Sequence, residues 1–260
     1  MTARISEEIP SSCGEHSLED SLARNPNSKG QKRTSPEPTA PEAGKGLATY
    51  QLHLTPKRLR ETLVSPPNGK NYNYINAFYQ IASLLKQQKR TGWIDHQVPN
   101  PESIADHMYR MSIIAMSLNG DAFSQKPDLT KCAKIALVHD IAESLVGDIV
   151  PHDANVDKKE KNRREYSTIL YLSEVIKPYN AAFSEEIVQL WLDYEDQRNF
   201  EASIVKDIDK YEMLIQAFEY EKATKKSLDE FFRSRALIKH PEIQGLADSL
   251  LEERKAFWGA

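Results

Sequence analysis

Apolar residues that recur every three or four positions dominate the chain from about residue 70 to its end. This spacing places them on one face of successive α-helices, and no convincing segment shows the two-residue alternation of a half-buried strand. One such series is Ile104, Met108, Met111, Ala115 and Leu118. The pattern predicts an all-α fold, a single bundle of about seven or eight helices over residues 70–260.

The first part of the chain has a different composition. Residues 1–46 contain five prolines, four glycines and only five large apolar residues. So few apolar side chains cannot offset the entropy lost on ordering, and we expect a disordered tail over 1–46. Residues 47–69 are partly apolar but end in Pro66, Pro67 and Gly69, which indicates a loosely ordered arm before the bundle.

Overall composition limits the partners and the compartment. The net charge of −4 argues against binding to a nucleic acid polymer. The two cysteines, Cys13 and Cys132, form neither a disulfide framework nor a thiolate zinc site, so we expect a reducing, cytoplasmic location. No apolar run reaches the length of a membrane-spanning helix, and the N-terminus lacks the apolar core of a secretory signal. We therefore expect no membrane partner.

The second half of the most apolar predicted helix, residues 129–146, carries three ionisable side chains close together. His139 and Asp140 are adjacent, and Glu143 follows three residues later, so the three share one side of a regular helix. A His–Asp pair alone is more often a satisfied core histidine. Three ionisable groups on one side of a buried helix instead indicate a charged partner, and a metal ion is one such partner.

Two further residues are candidates to complete a metal site. His107 lies on the preceding apolar helix pattern, where a lone histidine is usually structural. Asp209 lies in a charged run whose simplest interpretation is a solvated turn, and we expect that environment for Asp207. If Asp209 points inward, two imidazoles and two carboxylates from three helices form a mixed nitrogen and oxygen site. Such a site suits Mn, Fe, Co, Ni or Zn better than Mg.

The order of these residues, His107, His139-Asp140 and Asp209, resembles the signature of HD-domain phosphohydrolases. Longer stretches around them are more specific: RTGWIDHQVPNPESIADHMYRMS, KIALVHDIAESLVGDIVP and VKDIDKYEMLIQAFEYE. They resemble the HD-domain 5'-deoxynucleotidases, both the bacterial YfbR type and the eukaryotic HD domain-containing protein 2 type. The resemblance covers roughly residues 70–235.

The resemblance implies a divalent metal centre with one or two ions, of Mn, Co, Mg or a related metal. It implies that the ligands of the first ion are His107, His139, Asp140 and Asp209. Glu143 and Asp148 would lie beside this ion as catalytic residues. Glu143 would be either a general acid or base, or a ligand of a second ion together with Asp148 and the Ile149 carbonyl.

The resemblance also implies substrate-binding roles for Arg90, Trp93 and Ser103. An arginine can hold a phosphate through its forked donors, and a tryptophan can pack on a sugar or base. Core packing is the alternative for Trp93, and a simple helix start is the alternative for Ser103. The implied reaction is the hydrolysis of deoxyribonucleoside 5'-monophosphates, and the implied assembly is a homodimer.

Two other functions remain open on the sequence. The chain could be another HD phosphohydrolase, acting on alarmones, deoxynucleoside triphosphates or cyclic nucleotides. Alarmone hydrolases typically carry an acidic pair where this chain has Glu143-Ser144, and triphosphate hydrolases are usually larger. A non-catalytic helical scaffold with a vestigial metal site is the other alternative, but the presence of every implied ligand argues against it.

Overall fold

The computed structural model of the chain describes residues 72–150 and 156–259. Within these ranges the structure is helical, and an isolated bridge between Lys89 and Ser103 is the only β-type pairing. The α-helices are α1 (Tyr72–Ala82), α2 (Thr91–Asp95), α3 (Ile104–Ser117), α4 (Leu129–Val138), α5 (Glu143–Val146), α6 (Lys158–Ile176), α7 (Ala181–Glu195), α8 (Phe200–Thr224), α9 (Asp229–Phe232) and α10 (Pro241–Trp258).

Seven of these described helices span ten residues or more, which confirms the predicted all-α bundle. The predicted tail (1–46) and arm (47–69) lie outside the described residues. Across the two described ranges, no helix is both long enough and apolar enough to cross a membrane.

Short polar side chains determine where the longer helices begin. Each of five helices starts after a residue whose side-chain oxygen accepts a hydrogen bond from a backbone N–H of the first turn. These residues are Ser103, Asp128, Asp157, Asn180 and Asn199. Such caps satisfy donors that have no partner within the helix, so each helix begins at a defined residue.

Helix α4 lies at the centre of the bundle and packs against α3, α7 and α8. Its side chains Cys132, Ile135 and Ala136 are fully buried, as are Ile204 and Ile208 of α8. Burial of an aliphatic side chain of this size stabilises a fold by about 1.5–3 kcal/mol. This packing fixes the relative positions of the helices that carry the predicted ligands.

The prediction of one continuous helix over 129–146 was wrong. α4 ends at Val138, and the chain then makes tighter turns in which the N–H of Ile141 bonds to the carbonyl of Val138 and that of Glu143 to Asp140. These bonds span three residues instead of four, so the backbone is wound more tightly than an α-helix. The short α5 follows and is capped at its C-terminus by Gly147, whose φ of +80° suits glycine.

Asp207 is buried, which contradicts the prediction that it lies in a solvated turn. Its side chain is 2% exposed, and its Oδ2 accepts hydrogen bonds from the backbone N–H groups of Lys239 at 2.7 Å and His240 at 2.8 Å. The imidazole Nδ1 of His240 lies at 2.8 Å from the same oxygen. The carboxylate therefore holds the segment before α10 against α8, through partners that local sequence does not show.

We expect Asp207→Ala to lower the free energy of unfolding by about 2–4 kcal/mol, because it leaves buried backbone donors without an acceptor. Urea unfolding followed by circular dichroism measures this change. Glu185→Ala, which removes an exposed carboxylate from α7, is the control and should change stability by less than about 0.5 kcal/mol. Equal effects of the two substitutions would contradict a structural role for Asp207.

Candidate metal centre

His107 is placed by the first turn of α3. Ser103 and Asp106 form a reciprocal capping box, and the His107 imidazole one turn into the helix is fully buried against α8. Its Nδ1 lies 2.5 Å from Oε2 of Glu212 on α8. An imidazole that donates its Nδ1–H to a carboxylate presents the lone pair of Nε2 on its other side. His107 therefore offers Nε2 to the interior of the bundle.

His139 and Asp140 stand in the tight turn after α4. The Nδ1 of His139 lies 2.9 Å from the carbonyl of Ala136, so this ring also keeps Nε2 available. That Nε2 lies 3.1 Å from Oδ2 of Asp140. Although burial opposes ionisation, the neighbouring His139 and Arg90 hold the pKa of Asp140 below its ordinary value. The turn thus presents an imidazole nitrogen and a carboxylate side by side.

Asp209 points inward from α8, as a ligand at this position requires. Its Oδ1 lies 3.4 Å from Nε2 of His107, and its Oδ2 accepts a hydrogen bond of 2.8 Å from the Tyr194 hydroxyl. Lys206 in turn donates to that hydroxyl at 3.0 Å. Burial raises the pKa of Asp209, but His107 and Lys206 outweigh it and hold the pKa well below the ordinary value. The carboxylate is therefore ionised and fixed in orientation.

The four side chains fit a divalent cation. Potential ligand atoms of His107, His139 and Asp140 all lie within 4.8 Å of one another, and Asp209 borders His107. The Nε2 of His107 is buried and has no hydrogen-bond partner among the described residues. A buried nitrogen without a partner, facing ionised carboxylates, is the environment expected at a metal ligand. The structure thus brings together all four residues predicted for the first ion.

Arg90 lies at the rim of this cluster, immediately before α2. Its Nη1 is 3.3 Å from Oδ2 of Asp140, and its side chain is mostly buried. Burial disfavours the charged guanidinium, but Asp140 and Asp209 outweigh that cost and raise the pKa of Arg90 above its ordinary value. The site therefore keeps one permanent positive charge beside a predicted metal ligand.

Glu143 and Asp148 lie beside the cluster. Glu143 is almost fully buried, and its Oε2 has no hydrogen-bond partner within the described ranges. Burial, followed by the charges of Asp140 and Asp148, raises the pKa of Glu143 well above its ordinary value. Oδ2 of Asp148 accepts a hydrogen bond of 2.6 Å from the N–H of Thr91. Glu143 is thus a carboxyl group suited to carry a proton beside the centre.

Comparison with known proteins agrees with this arrangement. Residues 82–248 match the sequence profile of the HD domain. The chain is 45% identical over 223 residues to "5'-deoxynucleotidase YBR242W" of Saccharomyces cerevisiae, covering 84% of this chain and 90% of that protein. It is 40% identical to "5'-deoxynucleotidase HDDC2" of Homo sapiens, covering 72% of this chain and 89% of the human protein. The chain belongs to the HD domain family. The predicted resemblance to HD-domain 5'-deoxynucleotidases is confirmed.

Two solved structures have a similar fold. The yeast "HD domain-containing protein YGK1" superposes with a TM-score of 0.62 at 37% identity, over 81% of this chain and 99% of that chain. The PH0347 protein of Pyrococcus horikoshii superposes with a TM-score of 0.53 at 30% identity, over 68% of this chain and 96% of that chain. The HD domain fold therefore covers most of the described residues.

Two of the residues predicted to bind substrate have structural partners. Trp93 is 2% exposed, packs against the rings of Tyr220 and Phe231, and donates its Nε1–H to Glu102 at 2.9 Å. The hydroxyl of Ser103 caps α3 through Asp106. Core packing of Trp93 and a helix start at Ser103 are the alternative roles that the sequence left open. Substrate contacts of Trp93 and Ser103 stay predictions.

Sequence reasoning missed residues that hold the ligands of the HD domain centre. Glu212 orients His107, and Tyr194 orients Asp209. Glu212 also accepts a hydrogen bond of 2.8 Å from Nε of Arg110. The available signal was spacing: Arg110 follows His107 by three positions and Glu212 follows Asp209 by three, so each pair shares a helix face.

We expect Glu212→Gln to weaken binding of Mn²⁺ by about 10–100-fold, because a neutral amide orients and polarises His107 less strongly than a carboxylate does. Isothermal titration calorimetry of the metal-free protein measures the dissociation constant. Glu219→Gln is the matched control, since Glu219 lies on the same helix, also pairs with Arg110, and is exposed. Unchanged affinity in Glu212→Gln, or equal losses in both variants, would contradict this role.

Proposed function

We propose that the chain is a metal-dependent 5'-deoxynucleotidase. It hydrolyses deoxyribonucleoside 5'-monophosphates to a deoxyribonucleoside and inorganic phosphate. The observation that carries this proposal is the set of two buried imidazoles and two partly buried carboxylates, with Glu143 beside them. The names of the yeast and human relatives support the substrate class.

The ion in this proposal is Mn²⁺, Co²⁺, Mg²⁺ or a related divalent metal. His107, His139, Asp140 and Asp209 would hold it, and their mixed nitrogen and oxygen atoms suit a first-row transition metal best. When bound there, the ion supplies Lewis acidity, which activates water and neutralises phosphate charge.

Arg90 is the residue we propose for holding the phosphate. A guanidinium offers several N–H donors in one plane, which match two oxygens of a phosphate at once. Arg90 already lies at the mouth of the cluster with its Nη1 beside Asp140. A phosphate placed there would be close both to the metal ligands and to Glu143.

Glu143 is the residue we propose as general acid. Burial and the charges of Asp140 and Asp148 raise its pKa well above the ordinary value, which favours the protonated carboxyl group that a general acid needs. In the reaction a water oxygen bonds to phosphorus and the bond from phosphorus to the 5'-oxygen breaks. The Glu143 proton passes to that departing oxygen, which leaves as the 5'-hydroxyl of the deoxyribonucleoside. One proton of the attacking water stays on the phosphate, and the other returns to the Glu143 carboxylate. The burial of Glu143 excludes bulk water from this transfer.

The experiment is a phosphate-release assay on deoxyribonucleoside and ribonucleoside monophosphates, dGTP and ppGpp, with Mn²⁺, Co²⁺, Mg²⁺ or EDTA. We expect metal-dependent release from the deoxyribonucleoside monophosphates. Asp140→Asn should lower it more than about 100-fold, since it removes a charged ligand. Asp196→Asn, an exposed substitution, should leave it unchanged. Release only from dGTP or ppGpp would instead favour another HD phosphohydrolase, and release that persists in EDTA would contradict the metal mechanism.

We also propose that the chain forms a homodimer in the cytoplasm. Helix α3 leaves Tyr109, Ile113 and Met116 exposed, at a spacing that places them on one stripe. Exposed apolar stripes of this kind mark interaction surfaces. Light scattering should give twice the chain mass of 29.6 kDa, and Ile113→Lys should give the monomer. Leu237→Lys, at an exposed position outside the stripe, is the control. A monomeric mass for the unaltered chain would contradict the proposal.

A further inference from the structure

Lys161 enters the site from the first turn of α6, within the charged run at residues 157–165. Lys158 and Lys159 of the same turn are exposed, whereas the Lys161 side chain is only 27% exposed. Its Nζ donates a hydrogen bond of 2.8 Å to the carbonyl of Ile149 and lies 3.8 Å from Oε1 of Glu143. The ammonium is therefore directed toward the catalytic carboxyl group and away from bulk solvent.

Glu165 holds Lys161 in this position. It lies one turn further along α6, is 5% exposed, and places its Oε1 at 3.2 Å from the Lys161 Nζ. A buried carboxylate on the same helix restricts the lysine to rotamers that reach the site. Contacts with buried groups therefore hold the lysine in one position, unlike a mobile surface side chain.

The groups around Lys161 include two of the three that the family resemblance implies for a second divalent ion. These are the carbonyl of Ile149 and the carboxyl group of Glu143. The third, the Asp148 carboxylate, accepts the N–H of Thr91 at 2.6 Å. A divalent ion binds oxygens at about 2.0–2.6 Å, so it would compete with the ammonium for the same carbonyl oxygen. Two cations sharing these oxygens would also repel each other.

We propose that the Lys161 ammonium occupies the position that the resemblance implies for a second divalent ion. The chain then binds one divalent ion strongly, and the lysine takes the place of the other. Glu143 is then not engaged as a metal ligand and is available for proton transfer. The inference rests on the metal centre of the proposed function, and it decides between the two roles that the sequence left open for Glu143. Lys161 is a positioning residue, acting through Glu143 and the Ile149 carbonyl.

The test is the number of Mn²⁺ ions bound per chain, measured by equilibrium dialysis with elemental analysis on the 260-residue chain. We expect one tightly bound ion in the unaltered chain and two in Lys161→Met, with the second ion bound at least about tenfold more tightly than in the unaltered chain. Lys161→Arg keeps the positive charge and should bind one ion. Lys159→Met is the matched control on the exposed side of the same turn and should also bind one.

The location of the added ion is tested by a double variant. Glu143→Gln combined with Lys161→Met should lose the second ion and keep the first. The inference is overturned if the unaltered chain binds two ions with similar affinity, a result that requires no variant to fold. It is also overturned if folded Lys161→Met, checked by circular dichroism, binds one ion. Absence of any bound ion in all proteins would overturn the metal centre itself, which distinguishes failure of the proposed function from failure of this inference.

Discussion

The buried contact between His107 and Glu212 joins α3 to α8 and determines where the metal centre can form. Both side chains are fully shielded from water, so an ionised Glu212 is tolerated only because His107 and Arg110 donate to it. The same contact turns Nε2 of His107 toward Asp209, which lies one helical turn before Glu212. The packing of two core helices and the orientation of the first ligand therefore depend on one interaction. Damage to it would affect metal binding even though Glu212 is not itself a predicted ligand.

Charge balance is the second constraint on the site. Several carboxylates converge in a small, mostly buried space, which is unfavourable unless cations or protons share it. Arg90 stands beside Asp140, and Lys161 stands near Glu143. Burial, together with the same crowding, raises the pKa of Glu143. The guanidinium of Arg90, the ammonium of Lys161 and a proton on Glu143 each compensate part of the negative charge. A divalent cation between the two imidazoles would compensate the remaining negative charge. Neighbouring carboxyl groups therefore have different roles.

Sequence periodicity was enough to predict the all-α bundle, and the resemblance to HD-domain phosphohydrolases indicated which residues meet in its core. Local pattern was not enough to predict how the chain turns at His139, because an apolar run over 129–146 is equally compatible with a straight helix. The prediction for Asp207 was wrong because its hydrogen-bond partners lie more than thirty residues further along the chain, and its charge alone suggested exposure to solvent. The orientation of Asp209 toward the interior, and the part played by Lys161, follow from packing between helices. Such contacts are visible only when the tertiary structure places distant segments together.

The proposed metal site is formed by residues from α3, α8 and the turn after α4. The most direct test is anomalous X-ray diffraction at the manganese edge from crystals of the protein grown with Mn²⁺. We expect one strong peak per chain, within about 2.5 Å of Nε2 of His107, of Nε2 of His139, and of carboxylate oxygens of Asp140 and Asp209. A peak elsewhere, or no peak near these four side chains in metal-saturated crystals, would contradict it.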